Sequence, residues 1–139
     1  MPKFRVWDKK RGMYDVSWIN FDDNEIGVKR EMDGYIGKGK FKLSEVVLMQ
    51  STGLFNKNGK EIFEGDVVRY TWDMPSDVNA TKKGKKVRIS KVFWSDWRAS
   101  WAIGKKCCNN DLFRYARNGN TVEIIGNIYQ NQELLEEVK

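Results

Sequence analysis

Nine bases fall between residues 80 and 106 of this 139-residue chain: Lys82, Lys83, Lys85, Lys86, Arg88, Lys91, Arg98, Lys105 and Lys106. They share the stretch with one acid, Asp96, and three tryptophans, Trp94, Trp97 and Trp101. The stretch therefore carries +8, while the remaining sequence holds 16 bases against 18 acids, so the chain's net +6 has a single source. Cations release counterions when they meet phosphates, and flat rings offer stacking surfaces to unpaired bases. On a β scaffold such a face can read RNA or single strands. Lys82, Lys83, Lys85, Lys86, Arg88, Lys91, Trp97 and Arg98 are accordingly the candidate nucleic-acid or partner surface. A plainer reading competes and stands ahead: Lys82 to Lys86 is a solvated hairpin tip and the tryptophans belong to the core. Trp94 and Trp97 cannot both lie on one side of a regular strand, so at least one is expected inside.

Other chemistry is poorly served. There is no histidine, which removes Ser-His-Asp and Cys-His nucleophiles, the usual zinc sites and the common neutral-pH proton shuttle. Carboxylate-only chemistry would have to draw on Asp8, Asp15, Asp22, Asp23, Glu61, Glu64, Asp66 or Asp96. Asp22-Asp23-Asn24 offers oxygens to a hard cation but lacks the acid ladder and closing Glu of a calcium loop, so it reads as a turn. Gly34, Gly37 and Gly39 do not have phosphate-loop spacing. Cys107 and Cys108 are neighbours, too close for an unstrained bridge and without the spacer of a redox or zinc pair. No catalytic residue, metal ligand or cofactor is assigned, and the chain is expected not to be an enzyme. A metal-dependent Asp/Glu hydrolase is the weak third alternative.

The N-terminus is charged at once, from Lys3 and Arg5, with no apolar signal core. No apolar run approaches the length of a membrane span. A cytoplasmic protein with no membrane partner is expected, and a reducing compartment fits the cysteine usage.

The elements that must position these groups read as short strands. Residues 3–7 and 13–21 form a hairpin, with Tyr14, Val16 and Trp18 sharing one face. Residues 25–30 and 35–43 form another, turning at Asp33-Gly34. Ser44 to Gln50 reads as a buried strand that Ser51-Thr52-Gly53 ends. Asn58-Gly59 suits a type I′ turn. Val67 to Trp72 is a strand, and residues 73–84 are a polar loop. A strand from Lys85 changes apolar phase at Val92, which suggests a bulge. Trp97 to Ile103 and Thr121 to Tyr129 are further strands, with Asp111 to Tyr115 short and irregular or helical. Gly126 implies a bulge or a close backbone approach. Glu133 to Glu137 reads as a terminal helix. The sum is an all-β or mainly β fold, a small barrel or sandwich of short antiparallel strands with a short C-terminal helix. A single domain over 1–139 is expected, with a possible N-terminal β subdomain, 1–50, packed on a barrel, 55–139.

Three stretches stand out: Lys3-Phe4-Arg5-Val6-Trp7-Asp8 with Met13-Tyr14; Leu48 to Leu54 followed by Lys57-Asn58-Gly59-Lys60-Glu61-Ile62-Phe63-Glu64-Gly65-Asp66-Val67-Val68; and Ile125 to Leu135. Together they resemble the YopX family of phage and prophage proteins. They span nearly the whole chain in the family's order. Gln130 and Gln132 depart from the acid and proline usual in the third block, and Phe55-Asn56 stands where polar residues are usual. The resemblance implies a β-rich fold, a phage or prophage origin and hence a bacterial host cytoplasm. It implies no established activity and carries no catalytic residues.

The favoured reading is a non-enzymatic phage or prophage accessory protein that acts by protein–protein or self-association as an oligomer, with a phage protein, a host protein or a second copy as partner. It rests on the resemblance and on an aromatic content that a small core does not absorb. The alternative is a nucleic-acid-binding β-barrel that uses segment 82–106.

Overall fold

The computed structural model describes residues 3–72, 86–104, 109–117, 120–131 and 133. The chain is mainly β and divides into two compact units, Met1–Ser51 and Thr52–Lys139.

The first unit contains β1 (Phe4–Asp8), β2 (Gly12–Asn20), β3 (Glu25–Met32), β4 (Tyr35–Lys42) and the start of β5 (Val47–Phe55), in spatial order β4-β3-β2-β1-β5. Neighbouring strands are antiparallel. Short polar side chains close the turns. The Asp8 carboxylate accepts the Arg11 N–H at 2.9 Å, and the Asn20 side-chain oxygen accepts the Asp23 N–H at 3.1 Å. Asp33 and Gly34, where the turn was expected, both take positive φ, +43° and +87°, as a two-residue I′ connection requires. Alternation then sorts the side chains. Val6, Ile26 and Val28 are buried on one face with Tyr14, Val16, Ile19, Phe41 and Leu48 packed against them.

Trp18 does not join them. The β2–β3 register slips between Val16 and Trp18. The extra residue, Ser17, turns Trp18 to the opposite face, while Ile19 returns to the core opposite Ile26. There the indole lies across Gly27: a Cβ on that glycine would collide with Nε1, Cε2 and Cδ1 of Trp18.

The second unit contains β6 (Glu61–Phe63), β7 (Asp66–Trp72), β8 (Lys86–Lys91), β9 (Phe93–Ser95), β10 (Ser100–Gly104), β11 (Asn109–Asp111), α1 (Leu112–Ala116) and β12 (Glu123–Asn127). Two three-stranded antiparallel sheets, β12-β7-β8 and β11-β10-β9, form there. They enclose one cluster, Ile62, Val68, Tyr70, Val92, Ile103, Leu112 and Val122, each aliphatic side chain contributing about 1.5–3 kcal/mol by leaving water. This is the sandwich arrangement. The sheets remain open, and no closed barrel forms among the described residues.

The expected bulge at Val92 is a change of sheet. Among the described residues, β8 pairs only with β7 and β9 only with β10. Between them Val92 donates its N–H to the Asp66 carbonyl at 2.8 Å and accepts the Gly65 N–H at 2.9 Å. The apolar phase switches there because the chain turns from one layer of the sandwich into the other.

Three other expectations are corrected. Ser44 to Gln50 is not a buried strand: a 3-10 turn occupies Leu43–Glu45, β5 begins at Val47, and of residues 44–50 only Met49 is buried. Ser51-Thr52-Gly53 does not end it, because β5 runs on to Phe55 and the Thr52 hydroxyl anchors it by donating to the Ile62 carbonyl at 2.7 Å. The loop at 56–60 is not type I′. Only Gly59 has positive φ, and the buried Asn56 accepts N–H bonds from Asn58 and Lys60 at 3.0 and 2.9 Å, so the loop is built around one asparagine side chain. The polar loop at 73–84, Cys107 and Cys108, and the terminal helix beyond Glu133 lie outside the described residues.

Gly126 lies at a bulge, as expected, and what approaches it closely is a side chain rather than another backbone. The β12–β7 register shifts between Ile124 and Gly126, and the amide of Asn131 packs where a Cβ would stand.

Candidate binding cleft

The hairpin of β9 and β10 sets Trp94 opposite Trp101 and Phe93 opposite Ala102. The two indoles meet edge to face, 5.2 Å apart at 77°, a pair worth about 0.5–1.5 kcal/mol beyond its burial. Trp101 packs against the core cluster, and Trp94 stays outside, 45% exposed. The turn at 96–99 holds Ala99 at φ +53°, a conformation uncommon without glycine. It carries Trp97 outward to 74% exposure. The Arg98 guanidinium covers one side of that ring, 5.0 Å from its centre.

One hydroxyl joins this hairpin to β8. The buried Ser90 Oγ accepts the Gly104 N–H at 2.7 Å and donates to the Lys91 carbonyl at 2.9 Å. Lys91 and Gly104 are thereby held at the same cleft, of about 440 Å³, which Phe93, Trp94, Asp96 and Trp97 also line. Its rings are large and partly open, and its charged side chains are one base and one acid.

Of the surface read from sequence, Lys91 and Trp97 line the cleft and Arg98 stacks on Trp97. Arg88 sits apart, half-buried in β8 opposite Tyr70. Burial pushes the Tyr70 hydroxyl above its ordinary pKa, and the Arg88 charge pulls partly back. Lys86 opens β8, where only its backbone is described; Lys82, Lys83 and Lys85 lie outside the described residues. The expectation that Trp94 or Trp97 is interior is corrected: neither is buried, because the strand ends at Ser95 and Trp97 belongs to a turn. Phe93 and Gly104 escape sequence reasoning, since they reach the cleft only through the β8–β9 sheet change and the Ser90 bridge.

Two of the acids hold structure together. Asp66 is buried and accepts the Phe63 N–H at 2.8 Å. Glu123 lies 3.0 Å from Arg69 and 3.2 Å from Lys57, whose hydrogen bonds hold its carboxyl below the usual range. No three acids or cysteines gather as a metal-ligand set among the described residues. No helix among them is long and apolar enough to cross a membrane.

Fold and cleft together define a small, mainly β protein with an open aromatic cleft on one hairpin. The chain belongs to the YopX family, whose model, described as YopX protein, matches residues 3–136. It is similar to the solved structure described as the crystal structure of protein EF1440 from Enterococcus faecalis, with 26% identity and a TM-score of 0.62, over 97% of this chain and 98% of that one. No curated protein matches it.

Proposed function

We propose that this YopX protein is a non-enzymatic accessory protein of phage or prophage life that binds a protein partner, in the first instance a second copy of itself, through the Trp94–Trp97 cleft. The observation that carries the reading is the exposure of two tryptophans beside an arginine on one hairpin. Trp and Arg dominate the energetic centres of protein interfaces, whose cores are poor in charge. Among the described residues of the lining, one base, Lys91, is balanced by one acid, Asp96, and the rest is uncharged.

Sedimentation equilibrium of the full chain across concentration tests this reading at low and high salt. A discrete mass above 16.3 kDa that resists salt supports it. A mass of 16.3 kDa throughout rejects self-association. A second reading, nucleic-acid binding through segment 82–106, draws on Lys91 and Arg98 beside Trp97. It requires oligonucleotide binding that salt weakens and that is lost when Lys82, Lys83, Lys85 and Lys86 are changed to Ser.

A further inference from the structure

The outward face of the first unit carries a second cluster, independent of the cleft. Strand register places Asp15, Lys29 and Lys38 in one row across β2, β3 and β4, then Trp18, Gly27 and Lys40, then Asn20, Glu25 and Lys42. All four lysines are exposed. Lys40 reaches Glu25 at 3.3 Å, but no ion pair to Lys29, Lys38 or Lys42 forms among the described residues. Lys29 and Lys38 face each other directly, an arrangement that destabilises a sheet.

Lysines on β4 can be understood as guards of an edge strand against pairing with other chains. Lys29 cannot, because β3 is an interior strand of the sheet. The indole beside it is equally unusual. Three ring atoms of Trp18 press on Gly27 together, so the ring lies face-down on the strand and its other face points to solvent, 46% exposed.

We infer that this face binds single-stranded nucleic acid. Trp18 is the stacking surface for an unpaired base, and Lys29, Lys38, Lys40 and Lys42 contact the phosphates. Lys38, Lys40 and Lys42 stand two residues apart on one side of β4, roughly 7 Å per step, on the order of one phosphate step of an extended strand. An acidic protein would satisfy the lysines and leave the outward ring face unused. A planar base uses both.

The test is fluorescence anisotropy of a labelled oligo-deoxythymidylate with the full chain. Binding is expected at low salt, with a log–log salt slope of roughly −2 to −3 for three to four phosphate contacts. Lys29→Gln with Lys38→Gln weakens it about ten-fold or more and flattens the slope by about 1.4. The same double change leaves the fold intact by circular dichroism, since both side chains are exposed and Lys29 loses its opposite-charge neighbour Asp15 along with its like-charge neighbour Lys38. Trp18→Leu, which still covers Gly27, weakens binding about five-fold or more. Trp97→Ser leaves it intact. The proposal is overturned by no binding at low salt, or by binding lost in Trp97→Ser and kept in the lysine variant. It is also overturned if Trp18→Leu binds as tightly as wild type and polyglutamate displaces the oligonucleotide equally from both, which would mark a surface for acidic proteins.

Discussion

The side-chain oxygen of Asn131 accepts the Asn127 N–H at 3.2 Å while its amide packs flat over Gly126. Asn127 completes the lock. Its own side-chain oxygen accepts the N–H groups of Tyr129 and Gln130 at 3.0 and 2.9 Å, and its amide donates to the Gln130 side chain at 2.6 Å. The third family block, Ile125 onward, is therefore a folding device that ends β12 and turns the chain.

Gly126→Ala is expected to destabilise the protein by about 1–3 kcal/mol, because the new methyl displaces Asn131 and opens the turn it closes. Urea denaturation with an unchanged m-value measures it. A variant as stable as the wild type would show that the Asn131 packing contributes nothing.

Asn56→Ala removes the acceptor of two backbone N–H groups at a buried position. The expected loss is about 1–3 kcal/mol, since those donors lose their partner. Asn58→Ala, whose side chain has no such task, should cost far less. Comparing the two midpoints decides whether the side chain at 56 or the Asn-Gly pair builds the loop.

Glu123 supplies a pH dependence. Its native pKa is depressed, chiefly by hydrogen bonds from Arg69 and then Lys57. A depressed carboxylate stabilises the fold fully above its unfolded pKa, near 4.5, and loses that contribution as pH falls through the lower native value. Glu123→Gln should therefore reduce stability at neutral pH and differ little from wild type in strong acid. The gap at neutral pH should shrink with salt, because the group is exposed. Thermal denaturation of both proteins across that window is the measurement; a gap that widens in acid would reverse the assignment.

The hairpins of the first unit were legible because each rule involved is local: alternation, a two-residue Asp-Gly turn, short polar caps. What escaped were events set by a strand's partner. Nothing local distinguishes Ser17 as a bulge, yet it decides that Trp18 faces solvent instead of joining Val16. The phase switch at Val92 was visible, but its meaning as a change of sheet needs Gly65 and Asp66 from a distant strand. The cleft was half legible for the same reason. Lys91, Trp97 and Arg98 lie in one sequence segment, whereas Gly104 arrives through Ser90, and the exposure of Trp94 follows from Trp101 taking the inner place.

Sedimentation velocity of wild type and Trp97→Ser at equal concentration, with circular dichroism to verify the fold, tests the role of the cleft most directly. The account predicts a wild-type species heavier than one 16.3 kDa chain and a folded variant that sediments as a single chain. Identical sedimentation of the two proteins would contradict it.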